Sequence, residues 1–199
     1  MASALPQAAS KAERRRHIVE AAAHLFAERG FGGVSINDIG AALGTSGPAL
    51  YKHFASKDAL LAEMLIGISQ RLLDEGQRRA AASAEAGPRV VLDSLISWHV
   101  EFALRDPALI TVQFRDLDSL TEADQHAVRR LQRAYVELWV EAICAVIETT
   151  PAHARSAAHA VFGLINSTPH SARLSRTDMA AQLCRMASAA LLASGSDTP

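Results

Sequence analysis

Helix start signals recur along this sequence, and apolar residues at helical spacing follow each of them. The strongest signal is the capping box, in which a Ser or Thr and an acidic residue three positions later bond each other's backbone amide groups. Such boxes are predicted at Ser10 with Glu13, Ser35 with Asp38, and Thr121 with Asp124. After the first box, Ile18, Ala22, Leu25 and Phe26 keep the spacing of one helical face. These signals therefore restrict the secondary structure of the chain to helices.

Extended along the chain, the same signals predict about nine helices and an all-α fold. Short runs of Val, Ile, Thr and Tyr, which strands favour, are almost absent. Apolar residues make up 49 % of the chain, which is enough for a sizeable core. The low-complexity segment AAASAEAG (80–87) precedes Pro88 and predicts a connector between helices.

The segment GTSGPALYKHF (44–54) lies between two well-patterned helices but is too short and too polar for a core helix. Its only large apolar residues, apart from the aromatic Tyr51, are Leu50 and Phe54. Two short helices joined by a tight turn, here at Gly44, and braced by a third helix are typical of a helix-turn-helix. The second helix of that pair enters the DNA major groove. A helix that buries little is free to make such a contact.

Polar and small residues around this segment are suited to phosphates and base edges, and the Ala49 methyl to a thymine methyl. Three consecutive arginines lie in the first turns of the first helix, where cations oppose the helix dipole, so an anionic partner explains them better than local stability. The predicted DNA contacts are Arg14, Arg15, Arg16, Ser35, Thr45, Ser46, Gly47, Pro48, Ala49, Tyr51, Lys52, His53 and Lys57. Taken alone, these residues also allow a solvated basic face on an ordinary helical bundle.

Residues 11–65 resemble the DNA-binding domain of TetR-family transcriptional regulators, through the pieces F-A-E-R-G-F, S-I-N-D-I, L-Y-K-H-F and S-K-D-A-L. The resemblance implies an all-helical homodimer that places helices one to three on palindromic double-stranded DNA. It also implies a small-molecule effector bound by helices five onward, with the last two helices forming the dimer's four-helix bundle. Pro48 stands where the family often has glycine, and the recognition helix lacks Arg, Gln and Asn. Contacts to phosphates, methyl groups and DNA shape must therefore carry more of the recognition.

These observations predict four parts of the chain. They are a disordered arm (1–9), a helix-turn-helix DNA-binding domain (10–55), a ligand-binding and dimerisation domain (56–194) and a flexible tail (195–199). The predicted function is a DNA-binding transcriptional regulator, a repressor that a small and largely apolar effector releases from its operator. A transcriptional activator of the same fold is the alternative.

The second half of the chain carries aromatic residues on separate turns of helices five to eight, with a few polar residues among them. A regulator needs a pocket with apolar walls and few polar anchors. Core packing is the competing interpretation for each ring. The predicted ligand-binding residues are Trp98, His99, Phe102, Phe114, Arg115, Tyr135, Trp139, Phe162, Asn166 and His170.

A purely structural helical interaction module is a further alternative, but it would not require the arginine run or the uncovered third helix. A helical metal-dependent enzyme is another, because His99, Arg115, Asp116, Asp118 and His126 suggest a metal site or an acid–base pair. None of these residues has metal-ligand spacing, and H-E-x-x-H, G-x-S-x-G and C-x-x-C are absent from the sequence, so paired or solvated polar groups are the better interpretation. The sequence predicts no catalysis, no cofactor and no metal. A cytoplasmic protein without a membrane span is expected, because no apolar stretch is long enough and the first residues lack a secretory pattern. Cys144 and Cys184 are expected to be buried, reduced thiols.

Overall fold

The computed structural model describes residues 10–171 and 173–195, and every regular element in this part of the chain is helical. The α-helices are α1 (Lys11–Arg29), α2 (Ile36–Ala42), α3 (Gly47–Leu50), α4 (Lys57–Ser83), α5 (Pro88–Arg105), α6 (Pro107–Asp116), α7 (Glu122–Cys144), α8 (Pro151–Ile165), α9 (Thr168–Ser171) and α10 (Arg176–Ala193). The all-α prediction is confirmed. The predicted arm (1–9) and residues 196–199 of the predicted tail lie outside the described residues.

Two of the three predicted capping boxes form with both bonds, before α1 and α2, and the third forms one of its two bonds. Ser10 accepts a hydrogen bond from the amide of Glu13 at 3.2 Å, and the Glu13 carboxylate accepts one from the amide of Ser10 at 2.6 Å. Ser35 and Asp38 make the same reciprocal pair before α2, and those bonds hold the pKa of Asp38 below its usual range. At the start of α7, Thr121 accepts from the amide of Asp124. These contacts are local, so neighbouring residues determine them.

The predicted connector at 80–87 is mostly helical, which corrects the sequence interpretation. Residues 80–83 extend α4, and a 3-10 turn covers Ala84–Ala86. Alanine is the strongest helix former, so the alanine run continues the helix instead of ending it. The chain turns at Gly87, whose φ of 101° lies in the region that favours glycine. The single-turn helix α9 is the other element that the sequence does not predict.

Two hydrophobic cores organise the fold, and α4 passes through both. Leu60, Leu61 and Leu65 pack with α1, α2 and α3, whereas Ile68 and Leu72 pack with α5 and α7. The first core also contains Val112 of α6 and Val128 of α7. The change from one core to the other therefore lies inside α4, beyond the predicted boundary at residue 55. Because one continuous helix joins the cores, a tilt of α4 moves both.

Two smaller expectations concern membranes and thiols. Among the described residues, no helix combines the length and the apolarity that crossing a bilayer requires. Cys144 and Cys184 are free thiols, but both are half-buried instead of fully buried. Burial raises the pKa of the Cys184 thiol, which favours its protonated form.

Candidate nucleic-acid interface and buried aromatic cluster

Glycines allow α2 and α3 to approach each other closely. A Cβ on Gly40 would lie 2.7 Å from the backbone nitrogen of Gly47 and 2.9 Å from the carbonyl carbon of Ser46. A Cβ on Gly47 would lie 2.1 Å from Oδ1 of Asn37. Gly47, predicted to contact DNA, is buried against α2. Its small size therefore serves the packing of α3 and not the approach of a partner.

The outer side of α3 and of the turns beside it is exposed. The side chains of Thr45, Ser46, Pro48 and Lys52 are exposed, and Tyr51 keeps 56 % of its surface accessible. Ser46 is the N-cap residue by position, but its hydroxyl makes no capping hydrogen bond. The hydroxyl therefore remains available to a partner. Ala49 is half-buried at the edge of this face.

Arg15 differs from its two neighbours in the arginine run. Its guanidinium donates to the Glu63 carboxylate of α4 and to the carbonyl oxygen of His53. The guanidinium carbon also lies 4.3 Å from the centre of the Phe54 ring. Arg15, predicted to contact DNA, is thus used to join α1 to α4 and to the residues that follow α3. The motif alone does not distinguish it from Arg14 and Arg16.

Two more predicted DNA contacts are occupied within the protein. Lys57 Nζ donates to the carbonyl oxygens of Phe31 at 2.8 Å and Val34 at 2.9 Å, and it lies 4.2 Å from the centre of the Phe31 ring. Lys57 therefore holds the turn between α1 and α2 against the start of α4. The Ser35 hydroxyl, although exposed, pairs with Asp38 as the cap of α2.

The other two arginines of the run lie at the surface of α1. Arg14 and Arg16 are exposed, and Arg16 makes one loose ion pair with Glu20 at 3.7 Å. His53 is half-buried, and its Nδ1 has no hydrogen-bond partner among the described residues. Burial and the adjacent Arg14 and Arg15 lower the pKa of His53. His53 thus lies in a positive environment, which is the electrostatics that an anionic partner requires.

A groove of about 340 Å³ runs between α2 and α3 on the same side of the molecule. Its walls include Ser35, Asn37, Pro48, Tyr51 and Lys57. Asn37 is exposed and absent from the predicted contacts. Asn is able to bond adenine with two hydrogen bonds, so it is the base-reading residue type that α3 lacks. The residue is visible in the S-I-N-D-I segment, but only the packing of α2 against α3 brings it to the groove.

A second group of predicted site residues lies in the interior of the C-terminal region. His99 of α5 is 3 % exposed and contacts two polar groups: the Tyr135 hydroxyl lies 3.3 Å from Nδ1, and Oδ1 of Asn166 lies 3.1 Å from Nε2. The rings of Tyr135, Trp139 and Phe162 surround it, with centroids 4.7–5.9 Å from the imidazole. We call His99, Tyr135, Trp139, Phe162 and Asn166 the aromatic cluster. The sequence predicts all five, although they come from three helices and the residue that ends α8.

Both titratable groups of the cluster are uncharged at neutral pH. Burial lowers the pKa of His99 to about 4, and burial raises the pKa of Tyr135. With the Nε2–H tautomer, His99 donates to Asn166 and accepts from the Tyr135 hydroxyl. This chain uses both ring nitrogens of His99.

The indole N–H of Trp139 does not take part in the hydrogen bonding of the aromatic cluster. Its side chain is fully buried, and Nε1 has no hydrogen-bond partner among the described residues. A buried donor left unpaired costs about 1–3 kcal/mol, so such a group needs an explanation.

Comparison with known proteins identifies the family. Residues 18–64 match the profile described as "Bacterial regulatory proteins, tetR family", and residues 85–191 match the one described as "Tetracyclin repressor-like, C-terminal domain". The second match alone covers more than half of the chain. The chain belongs to the TetR family.

Individual relatives agree with this assignment. The HTH-type transcriptional repressor KstR2 of Rhodococcus jostii (strain RHA1) is 28 % identical over 131 residues, which are 65 % of this chain and 63 % of that protein. The chain thus spans less than two thirds of the length of this relative. Among solved structures, a TetR-family transcriptional regulator from Bordetella parapertussis 12822 has a TM-score of 0.77 and 25 % identity, covering 87 % of this chain and 93 % of that one.

The structure of AibR in complex with isovaleryl coenzyme A and operator DNA shares the fold. Its TM-score is 0.68 and its identity 21 %, covering 87 % of this chain and 97 % of that one.

Within this TetR-family chain, the other predicted ligand residues divide into two groups. Trp98 and Phe102 are buried at the edge of the aromatic cluster, and Trp98 Nε1 donates to the carbonyl oxygen of Leu72 at 3.3 Å. Phe114 is 94 % exposed and His170 is exposed, so neither is a wall of the cluster. Phe114 is on the side of α6 that faces away from both cores, which helical spacing in so short a helix does not reveal.

Arg115 also lies away from the aromatic cluster. Its guanidinium donates to the carbonyl oxygens of Phe26 and Ala27 at the end of α1, and it pairs with Asp116 at 3.1 Å. Cations are favourable at a helix C-terminus, where unpaired carbonyl groups collect. Arg115, predicted as a ligand anchor, therefore joins α6 to the DNA-binding region.

The residues considered for metal or acid–base chemistry do not form one site. His99 is part of the aromatic cluster, Arg115 pairs with Asp116, and Asp118 faces Arg129 at 3.7 Å. His126 is exposed. In residues 10–171 and 173–195, no group of three or more His, Cys, Asp and Glu side chains is placed to hold a metal ion.

Proposed function

We propose that this chain is a DNA-binding transcriptional regulator that acts as a homodimer on a palindromic operator. The observation that carries the proposal is the exposed face of α3, whose backbone the glycines at 40 and 47 hold on α2 while Arg14 and Arg16 of α1 remain exposed. A helix that is packed on one side and exposed on the other fits the major groove. Family membership agrees with this role, and AibR presents the same fold on operator DNA.

The DNA-binding step is tested with fragments of the genome retained by the purified protein. Lys52 is exposed beside α3, and we propose that it, Tyr51, Arg14 and Arg16 contact phosphates. Lys52→Ala should weaken binding about equally on the operator and on random DNA, and it should lower the salt slope by about one per contact on each subunit. Arg133, an exposed cation on α7, supplies the control, because Arg133→Ala should leave the slope unchanged. A loss confined to the operator would mean that Lys52 reads bases.

We propose that the second copy pairs through α8 and α10. These helices pack on each other within one chain and expose small residues, among them Ala160 and Gly163 of α8 and Ala181 and Ala189 of α10. Small residues permit close helix approach, and a two-fold dimer places two recognition helices about 34 Å apart, one turn of DNA. Sedimentation at micromolar concentration measures this, and a monomer that still binds one half-site tightly would contradict the proposal.

We propose repression, relieved by a small and largely apolar effector that enters between α5, α7 and α8 at the aromatic cluster. Support comes from α4, whose first half packs under α1 to α3 while Gly76 in its second half contacts Tyr135. A Cβ on Gly76 would lie 2.8 Å from the Tyr135 ring, so a displaced Tyr135 pushes directly on α4. Moving the equilibrium from 99:1 to 1:99 requires about 5.5 kcal/mol of effector preference for the released state.

Gly76→Ala tests this coupling without knowledge of the effector. The added methyl group should displace Tyr135 or α4 and weaken operator binding, whereas Gly67→Ala, where a Cβ on the same helix meets open space, should not. Repression and activation are separated by transcription in a purified system from a promoter on the DNA that the protein retains. Adding a repressor lowers the transcript level, and adding an activator raises it. Unchanged operator affinity in Gly76→Ala would remove α4 as the connection.

A further inference from the structure

The aromatic cluster contains one side chain that differs from the others. Phe162 is partly exposed, whereas His99, Tyr135 and Trp139 are buried. Its ring lies parallel to Tyr135 (12° between planes, centroids 5.8 Å apart) and edge-on to Trp139 (74°, 4.8 Å). The imidazole of His99 is 4.7 Å away. Phe162 therefore occupies a space with three aromatic walls.

The hydrogen bonds of these walls leave a single free donor. His99 and Tyr135 bond each other, and the second ring nitrogen of His99 pairs with Asn166. The Trp139 N–H lies close enough to the Tyr135 hydroxyl to lower the pKa of Tyr135 against the larger rise from burial, but it makes no hydrogen bond of normal geometry within residues 10–171 and 173–195. A phenyl ring such as Phe162 has no acceptor in its plane to offer, so the donor stays unpaired while Phe162 fills the space.

Charge is also excluded from this space. Burial keeps the imidazole neutral, with a pKa of about 4 for His99. Arg79, whose charge lowers the pKa of Tyr135 against the larger rise from burial, is already paired with Glu75 and Glu101. An ion entering between these walls would lose its hydration without gaining an opposite charge.

We propose that Phe162 is an internal occupant of the effector site, and that the effector is a flat, uncharged ring compound that replaces it and accepts a hydrogen bond from Trp139. The proposal rests on the proposed function, since it names the ligand class of the same site. The walls supply stacking surfaces, and the Trp139 N–H supplies the one directional contact. A conjugated carbonyl oxygen in the plane of the ring has the required chemistry.

The test uses four planar molecules of matched shape: acetophenone, α-methylstyrene, benzoate and benzamidinium. They present a carbonyl group, an alkene, an anion and a cation on the same ring. Phe162→Ala in the full chain vacates the space of one ring, and dry apolar cavities of this kind bind small aromatic molecules. Binding is measured by calorimetry and by the indole N–H resonance of Trp139.

Acetophenone should bind Phe162→Ala at least about tenfold more tightly than the unaltered chain. It should also bind about tenfold more tightly than α-methylstyrene, because only the ketone pairs with the N–H. Both ions should bind at least about a hundredfold more weakly than acetophenone. Adding Trp139→Phe, which keeps a ring and removes the donor, should abolish the preference for the ketone.

Phe114→Ala is the matched control, because removing a ring that is 94 % exposed opens no internal space and should add no binding. If Phe162→Ala fails to fold, Phe162→Val leaves a smaller space for the same comparison. Three results would overturn the proposal. They are equal affinity of Phe162→Ala for acetophenone and α-methylstyrene, equal affinity for acetophenone and either ion, and an affinity for acetophenone no higher than that of the unaltered chain.

A final measurement separates this proposal from the proposed function. Retention of operator DNA by Phe162→Ala is measured with and without saturating acetophenone. Binding of the ketone with unchanged DNA retention leaves the ligand class intact and removes the release mechanism. Release of DNA by acetophenone without the expected selectivity among the four molecules would support the release mechanism and contradict the ligand class.

Discussion

The N-terminal and C-terminal regions use polar side chains in opposite ways. In the N-terminal region, charged residues such as Arg15 and Lys57 bond backbone carbonyls and a carboxylate, and other polar side chains remain exposed around α3. In the C-terminal region, uncharged polar groups of Tyr135, His99 and Asn166 form a buried chain among aromatic rings. The first region keeps ions near water, and the second keeps neutral groups away from it.

The difference follows from the partner that each region suits. A large polyanion binds from outside, so its site needs exposed groups on a backbone held firmly from behind. A small apolar molecule is bound by removal from water, so its site needs buried walls and few polar contacts. A cation within the DNA-binding motif is therefore not automatically a DNA contact.

The largest expected effect concerns acid stability. The pKa of His99 is about 4 in the folded chain, below the ordinary histidine value of 6.5, because the ring is buried. The neutral ring is thus favoured by folding: the stability it contributes is complete above pH 6.5 and is lost as the pH falls from 6.5 to about 4. We expect roughly 3 kcal/mol less free energy of unfolding at the acid end from this residue. Urea unfolding at several pH values measures it.

His99→Gln should flatten that pH dependence, although it also lowers stability at pH 8. His153→Gln, at an exposed position on α8, is the control and should keep the slope of the unaltered chain. If the free energy of unfolding of His99→Gln depends on pH as steeply as that of the unaltered chain, His99 is not held neutral in the interior. The contrast between the two regions would then be wrong.

The next effect concerns the backbone that supports α3. Gly40→Ala should lower the free energy of unfolding by about 1–3 kcal/mol, because its methyl group meets backbone atoms of residues 45–47 that cannot move aside cheaply. Operator retention should fall with it. Gly67→Ala on α4, where a Cβ has open space, should instead add roughly 0.5–1 kcal/mol. Thermal unfolding of both variants measures these changes. If Gly40→Ala leaves the free energy of unfolding unchanged, α3 does not need the close approach to α2.

Arg15 and Arg16 sharpen the comparison inside one motif. Arg15→Ala should lower the free energy of unfolding by about 1–2 kcal/mol, since it removes the contacts with Glu63, the His53 carbonyl and the Phe54 ring. Arg16→Ala should change it by less than about 0.5 kcal/mol, because that side chain is exposed and loosely paired. The salt slope of DNA binding should show the reverse order. If Arg15→Ala and Arg16→Ala change the free energy of unfolding and the salt slope equally, the arginine run is a uniform basic surface.

The smallest expected effect on stability belongs to Ser46. Its hydroxyl makes no capping bond, so Ser46→Ala should leave the free energy of unfolding within about 0.5 kcal/mol while weakening operator binding. Ser56 accepts from the amide of Ala59 at 3.0 Å, and Ser56→Ala should cost about 1 kcal/mol. Chemical denaturation of the two variants, with a retardation assay on each, compares an available hydroxyl with a structural one. Matching losses of stability would place Ser46 among the structural caps.

The sequence by itself determined the features that depend on near neighbours. Capping boxes act over three residues, and apolar spacing acts over single helical turns, so the helix starts and the all-α class were predictable. The helix-turn-helix was predictable for the same reason. The sequence also named the residues of the aromatic cluster, but it did not separate them from Phe114, Arg115 and His170, which lie outside the cluster.

Only the tertiary structure decided what each side chain contacts. Arg15 and Arg16 are equivalent in the sequence, and the difference between them comes from Glu63, 48 residues away. The neutral state of His99 comes from burial, which outweighs the opposite effect on its pKa of the hydrogen bond with Asn166, 67 residues away. Phe114 is exposed because of the side of α6 on which it lies. Such contacts join residues that the chain brings together only on folding, so burial, pairing and protonation are properties of the packed molecule and not of any local pattern.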